Sequence, residues 1–218
     1  MNQYIDHTNL KPTATSQDII TLCKQAQEHQ FFSVCVHGSR VGLCVEQLKG
    51  SAVKVCAVVG FPLGANSISS KAFEAKDAID QGATEIDMVI NIAKVIEEDK
   101  EYLIEEIKAV KTAVGNNILK VIIETCLLSE KQKILATECV ALANADFVKT
   151  STGFSHAGAT IEDVKLLFKV ADGRIKVKAA GGVKSFADLE AMIAAGASRI
   201  GTSSGIALLQ KQDNEESY

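Results

Sequence analysis

Along the chain, short runs of consecutive apolar and β-branched residues alternate with stretches in which apolar positions recur every three or four residues. The runs are Tyr4 to Thr8, Phe32 to Val36, Val53 to Val59, Glu85 to Ile90, Leu119 to Glu124, Phe147 to Thr150, Ile175 to Ala179 and Arg199 to Thr202. Most lack a period-2 alternation, the pattern of strands covered on both faces in a parallel sheet, although periodicity alone does not separate such runs from buried helix. Between them, Glu97 to Val114 is the clearest helix, with Leu103, Ile107, Val110 and Val114 on one stripe. Start signals agree: Ser129 with Gln132 forms a capping-box pattern, and Thr160 with Asp163 and Ser185 with Asp188 place an acid three residues after a hydroxyl. Gly82 and Gly196 fall where helices must stop before the next strand. Eight βα units in 218 residues predict an α/β fold, a (β/α)8 TIM barrel in a single domain over 1–218. An open doubly wound sheet is the alternative. Only two prolines and no Gly/Ser-rich linker interrupt the chain, so nothing marks a domain boundary, and the polar tail from about residue 212 is expected to be mobile.

A barrel puts its chemistry at the C-terminal ends of its strands. Polar residues that a core would not request gather there: Asp6-His7-Thr8, Asp87, Glu124-Thr125, Lys149 to Gly153, Lys178, and Thr202 to Gly205. Lys149 and Lys178 lie in strands one βα unit apart, so the sequence predicts two amines on neighbouring strands, a few ångströms from one another. Ammonium groups that close repel, and the repulsion favours loss of a proton from one of them. A free lysine, with a pKa of about 10.4, is almost wholly protonated at neutral pH, so such a shift creates a nucleophile for carbonyls. Asp87, a carboxylate inside an apolar strand, is the candidate acid/base or an ion-pair partner of the lysines. Gly181-Gly182, placed after the sixth strand, and Ser203-Ser204-Gly205, after the eighth, each precede a predicted helix start and read as an anion site, with Gly153 a further backbone approach.

Charge and composition narrow the partners. Lys+Arg 23 against Asp+Glu 27 gives a net charge of -4, which argues against nucleic acid. No apolar run approaches the length a bilayer needs and the N-terminus has no signal-like segment, so a cytoplasmic protein without membrane contact is expected. The six cysteines are scattered without a C-x-x-C pair, and His7, His29, His37 and His156 are dispersed, so the spacing points to reduced, mostly buried thiols and away from a metal centre.

Taken together, the motifs resemble the deoxyribose-phosphate aldolases, Schiff-base aldolases on a (β/α)8 barrel. The resemblance spans nearly the whole chain: Asp6-His7-Thr8 with Lys11-Pro12, Val34-Cys35-Val36, Val58 to Gly64, Glu85 to Val89, Lys120 to Thr125, Lys149 to Phe154, Lys178 with Gly181-Gly182-Val183, and Gly201 with Ser203-Ser204. It implies Lys149 as the Schiff-base lysine, Asp87 as the proton-transferring acid and Lys178 as the lysine that tunes the first. Phosphate contacts would fall to Gly153, Gly181, Gly182, Ser203 and Ser204. The implied reaction is reversible cleavage of 2-deoxy-D-ribose 5-phosphate to acetaldehyde and D-glyceraldehyde 3-phosphate, an aldehyde-lyase step of deoxyribose phosphate catabolism that needs no cofactor and no metal. Phosphorylated sugar and aldehydes are then the partners, and a homodimer is compatible with them. Asn9, His37-Gly38 and His156-Ala157 depart from the family pattern and bear on fine substrate preference. Another Schiff-base enzyme of transaldolase type, and a non-enzymatic sugar-phosphate-binding protein, are the competing readings. A weaker expectation brings Tyr218 into the site.

Overall fold

A computed structural model describes residues 1–210; the tail beyond them, with Tyr218, lies outside the described residues. All eight apolar runs form strands: β1 (Ile5–Thr8), β2 (Ser33–His37), β3 (Lys54–Val59), β4 (Glu85–Val89), β5 (Ile118–Ile122), β6 (Phe147–Lys149), β7 (Lys176–Ala180) and β8 (Ala197–Thr202). They close in chain order into one barrel, with β8 returning to pair with β1, and every neighbouring pair is parallel. The open-sheet alternative is thereby excluded. Nine α-helices accompany them among the described residues: α1 (Ser16–Glu28), α2 (Val41–Gln47), α3 (Ile68–Asp80), α4 (Ile92–Ile96), α5 (Lys100–Val114), α6 (Glu130–Leu142), α7 (Ile161–Ala171), α8 (Phe186–Ala194) and α9 (Gly205–Leu209). None is long and apolar enough to cross a membrane.

Local chemistry sets the boundaries. Full capping boxes start α6 at Ser129 and α8 at Ser185, and a third, at Thr15 with Asp18, starts α1. At Thr160 the hydroxyl accepts from the Asp163 N–H without a return bond. Gly82 and Gly196 follow their helices at φ 105° and 114°, a region that costs glycine little. The predicted helix from Glu97 needs correcting, because the chain breaks there. Glu98 takes φ 57°, Asp99 caps α5 by accepting from the Tyr102 N–H, and the preceding turn is the separate α4. Gly181-Gly182 also needs renumbering: it follows β7, since Phe147–Lys149 is the sixth strand and ends at Lys149.

The two faces of the strands differ sharply. Outward-facing Ile86, Met88, Val121, Val148 and Val177 join Leu103, Ile107 and Val110 of α5 in one continuous apolar layer between barrel and helices. Each such side chain contributes about 1.5–3 kcal/mol by leaving water. The inward positions of the same strands carry Asp6, Glu85, Asp87, Lys120, Lys149, Lys178 and Arg199, all buried. A period-2 alternation is therefore present after all, with charge rather than solvent on its second face.

Candidate active site inside the barrel

Strand β4 lies across the barrel from β8, so contacts between them must pass through its middle. Arg199 of β8 makes such a contact, its guanidinium reaching Glu85 Oε2 at 2.7 Å while also binding Asp6 and stacking 3.6 Å over the centroid of Phe32. Above this floor, Lys120 Nζ lies 2.5 Å from Glu85 Oε2 and 2.9 Å from Asp87 Oδ1. Lys178 Nζ lies 2.6 Å from Asp6 Oδ2 and 2.7 Å from Asp87 Oδ2. Lys149, the last residue of β6 and the register partner of Lys178, donates to that same Asp87 oxygen at 2.8 Å. The three predicted catalytic side chains thus meet at one carboxylate oxygen.

Charge is unequally shared in this network. Among the described residues, four cations (Lys120, Lys149, Lys178 and Arg199) face three carboxylates (Asp6, Glu85 and Asp87). Lys120, Lys178 and Arg199 each contact two carboxylates. Lys149 contacts one, and at the end of β6 it is 3% exposed where Lys120 and Lys178 are wholly buried. Burial works against the Asp87 charge, yet Lys120, Lys149 and Lys178 outweigh it and hold the carboxyl well below its usual range. Burial likewise works against Lys178, but Asp6 and Asp87 outweigh it and hold the ammonium well above its usual value. Lys178 is therefore a fixed cation beside Lys149.

The anion-site residues occupy the rim. Gly153, Gly181 and Gly182 have φ of 85°, 71° and 77°, and the β6–α7 loop is clamped to β7 by the Ala159 N–H, which donates to the carbonyls of Ala180 and Gly181 at 3.1 and 3.0 Å. Ser203 and Ser204 follow β8, the neighbouring strand. Ser203 lines a cleft of about 230 Å³ with His7, Lys11 and Gln25. The backbone N–H of Ser204 donates to Thr202 Oγ1 at 3.0 Å, so any new ligand there must use its hydroxyl.

Several residues of the site carried no predicted role. Lys120, Asp6, Glu85 and Arg199 build the ion network, and the signal for them was alternation: each is a charge at an inward position of an otherwise apolar strand. Glu124, noted only as a polar strand end, sits at φ 53° and accepts from the N–H and hydroxyl of Thr152, which fixes the segment after Lys149. Burial pushes its carboxyl up against those bonds. Gly158 packs flat on the phosphate-loop candidate, where an added Cβ would lie 2.4 Å from the Gly181 carbonyl carbon. Cys35 and Cys56, far apart in sequence, are register partners on β2 and β3.

Comparison with known proteins places the fold and the family. The model of the family described as DeoC/LacD family aldolase matches residues 1–211. A deoxyribose-phosphate aldolase of Brevibacillus brevis is 54% identical over 209 residues, covering 96% of this chain and 95% of that one. One of Streptococcus sanguinis is 48% identical over 218 residues, covering 100% and 99%. Among solved structures, the aldolase QR15 superimposes with a TM-score of 0.92 at 41% identity, covering 96% of this chain and 94% of that one. The deoxyribose phosphate aldolase of Aeropyrum pernix, described as a tetramer, gives 0.88 at 32% identity, covering 96% and 89%. With its barrel, its paired lysines and a family match over almost its full length, the chain belongs to the DeoC/LacD aldolases.

Proposed function

We propose that the protein reversibly cleaves 2-deoxy-D-ribose 5-phosphate to acetaldehyde and D-glyceraldehyde 3-phosphate through a Schiff base on Lys149. The observation that carries the assignment of the lysine is the charge count. Lys120, Lys178 and Arg199 each meet two carboxylates, Lys149 meets one, and as the last residue of β6 it stands at the strand end facing the mouth, where an aldehyde reaches its amine.

In the cleavage direction, Lys149 Nζ adds to the C1 aldehyde and water leaves, giving an iminium. A base takes the C3 hydroxyl proton, the C2–C3 bond breaks, and its electron pair flows into the iminium to give an enamine. D-Glyceraldehyde 3-phosphate departs. The enamine is then protonated at C2, and water releases acetaldehyde from the lysine. Asp87, in contact with Lys149 Nζ, is the group that moves protons in these steps, directly or through water. Its depressed pKa makes it the resting base, and Lys178 keeps a positive charge beside the amine throughout. The iminium is the electron sink that a C–C cleavage requires.

The phosphate of the substrate is assigned to the rim formed by Gly153, Gly181, Gly182, Ser203 and Ser204. Positive φ at the three glycines leaves backbone free of side chains where a phosphate dianion must approach. A cytoplasmic location and assembly as a homodimer complete the reading, and sedimentation tests the latter. The decisive experiment is borohydride reduction in the presence of acetaldehyde, followed by peptide mass mapping. A reduced adduct on Lys149 is expected. An adduct on Lys178 would exchange the two roles, and no adduct at all would overturn the mechanism.

A further inference from the structure

The parallel register sets Cys35 of β2 directly beside Cys56 of β3. Their sulfurs and a carboxylate oxygen of Asp87 all lie within 4.8 Å of one another. The Cys56 thiol donates to Asp87 Oδ1 at 3.1 Å and receives a 3.5 Å contact from Lys120 Nζ. Both cysteines are buried in a small apolar cluster with Leu10 and Val58, flanked by Phe61 and distinct from the main core. That cluster borders the lysine centre.

We propose that Cys35 and Cys56 are a modification site: a dithiol that a peroxide oxidises to an intrachain disulfide, reversibly disabling the lysine centre. Adjacent parallel strands run about 4.7–4.9 Å apart, inside the Cα separation of roughly 4.4–6.8 Å that a disulfide spans, so side-chain rotation suffices to join them. The two thiols are inequivalent. Contact with the Cys56 sulfur draws the Cys35 thiol below its ordinary pKa, against burial and Asp87 and with help from Lys178 and Lys149. Burial, then the Cys35 contact, pushes the Cys56 thiol well up. Cys35 is therefore the sulfur that reacts first, through its minor thiolate fraction.

The chemistry balances with hydrogen peroxide as the oxidant. The Cys35 thiolate attacks one peroxide oxygen, the O–O bond breaks, and the departing hydroxide takes up the thiol proton as water, leaving a sulfenic acid. Cys56 sulfur attacks the sulfenic sulfur, the S–S bond forms, the S–O bond breaks, and the hydroxyl leaves as a second water with the Cys56 proton. Two thiols are oxidised and one peroxide is reduced to two waters. Peroxide is smaller than the aldehyde that must reach Lys149, so it enters by the same mouth. Once joined to Cys35, Cys56 no longer donates to Asp87 Oδ1. Formation of the disulfide stands by itself, whereas the loss of activity rests on the role given above to Asp87.

The competing pair is Cys23 with Cys44, also within hydrogen-bonding reach but on α1 and α2, away from Asp87. The test treats the wild-type protein with hydrogen peroxide, blocks remaining thiols with iodoacetamide and maps peptides without reduction. The expected result is a peptide linking Cys35 to Cys56, an activity loss of more than tenfold, and recovery with dithiothreitol. Cys23→Ala should lose activity as the wild type does, and in Cys35→Ala dithiothreitol should restore nothing. A link between Cys23 and Cys44 instead, or Cys35 carried to sulfinic acid while Cys56 remains alkylated and unlinked, would overturn the proposal. A Cys35–Cys56 link with full activity would keep the dithiol and overturn the loss of activity assigned to it. Mapping on the wild type decides the pairing even where a variant fails to fold.

Discussion

Two buried ion-paired regions of the molecule use lysine in opposite ways. In the outer layer, Lys71 of α3 is fully buried and meets Glu106 of α5 at 2.7 Å, while its other donors bind the carbonyls of Gly64 and Val89 at 2.7 and 2.8 Å. Glu106 also accepts from the Asn91 N–H at 2.9 Å. One cation faces one carboxylate. Burial outweighs their mutual attraction, lowering the lysine pKa and raising that of the glutamate. Inside the barrel, attraction outweighs burial for Asp87 and Lys178, and both are held in their charged forms. Yet the barrel has one cation too many, and the surplus falls on the residue nearest the mouth. A closed pair ties two helices to the loop before one of them and to the end of β4; an unbalanced cluster leaves a reactive amine. The contrast teaches that stoichiometry of charge, more than burial of lysine as such, separates scaffold from site.

The sharpest way to break this comparison is to remove the surplus amine. Lys149→Leu should abolish borohydride trapping at every pH and reduce cleavage to the uncatalysed background, since no other amine stands free of a second carboxylate. Circular dichroism and Tm should stay near wild type, because the remaining three cations and three carboxylates balance. Residual trapping on Lys120 or Lys178 would show that the surplus is mobile within the cluster.

Removing Lys178 restores balance differently. In Lys178→Leu, three cations face three carboxylates, Asp87 Oδ2 belongs to Lys149 alone, and the neighbouring cation that opposes a charge on Lys149 is gone. The pH midpoint of trapping should rise, and activity near pH 7 should fall by about one to three orders of magnitude, tenfold for each unit of that rise. Raising the pH should recover part of the loss. A trapping profile that matches the wild type would remove the electrostatic role of Lys178.

A smaller effect is expected at the rim. Gly158→Ala places a Cβ against the Gly181 carbonyl, and Ser203→Asp places a carboxylate where the dianion is assigned. Both should raise KM for deoxyribose 5-phosphate by about tenfold or more, at roughly 1.4 kcal/mol per decade, with little change for unphosphorylated deoxyribose. Equal losses on both substrates would move the phosphate elsewhere.

The barrel was legible because its strands are apolar runs and its helices carry hydroxyl–acid starts, and the three central side chains were legible as charges inside such runs. Asp6, Glu85, Lys120 and Arg199 have the same signature, but their roles depend on contacts between strands far apart in sequence, Glu85 with Arg199 across the barrel, Asp6 with Lys178 and Arg199, and Lys120 with the carboxylates of β4, that no local spacing encodes. The Cys35–Cys56 pairing likewise follows from strand register. The break at Glu98 was hidden because a helical stripe says which residues face the core and nothing of the turn that precedes them. Gly158 was unreadable for a different reason: its constraint is the backbone of Gly181, packed against it from the turn after β7.

The last prediction tests the outer pair against the barrel through pH. Lys71→Met leaves the Glu106 carboxylate buried with a single backbone donor, a loss of about 3–5 kcal/mol when a buried pair is broken by removing one partner. Glu106 already has a raised pKa, and without Lys71 it rises further. A carboxyl whose folded pKa lies above its unfolded value of about 4.3 stabilises the fold below that value and loses the contribution as pH rises through the folded pKa. Lys71→Met should therefore be most destabilised at neutral pH and above, and should approach wild type as the solution is acidified toward that value. A remainder independent of pH, from the orphaned Gly64 and Val89 carbonyls, should persist at about 1–3 kcal/mol for each that water cannot reach. Asp87, with a depressed pKa, has the opposite sign: its contribution is present above about 3.9 and is lost only as pH falls through its folded value. The measurement is urea unfolding of wild type and Lys71→Met at about pH 5 and pH 8, with the deficit expected to shrink at the lower pH. An equal deficit at both would mean that Glu106 stays charged without its lysine, and that the outer pair and the barrel cluster obey the same balance.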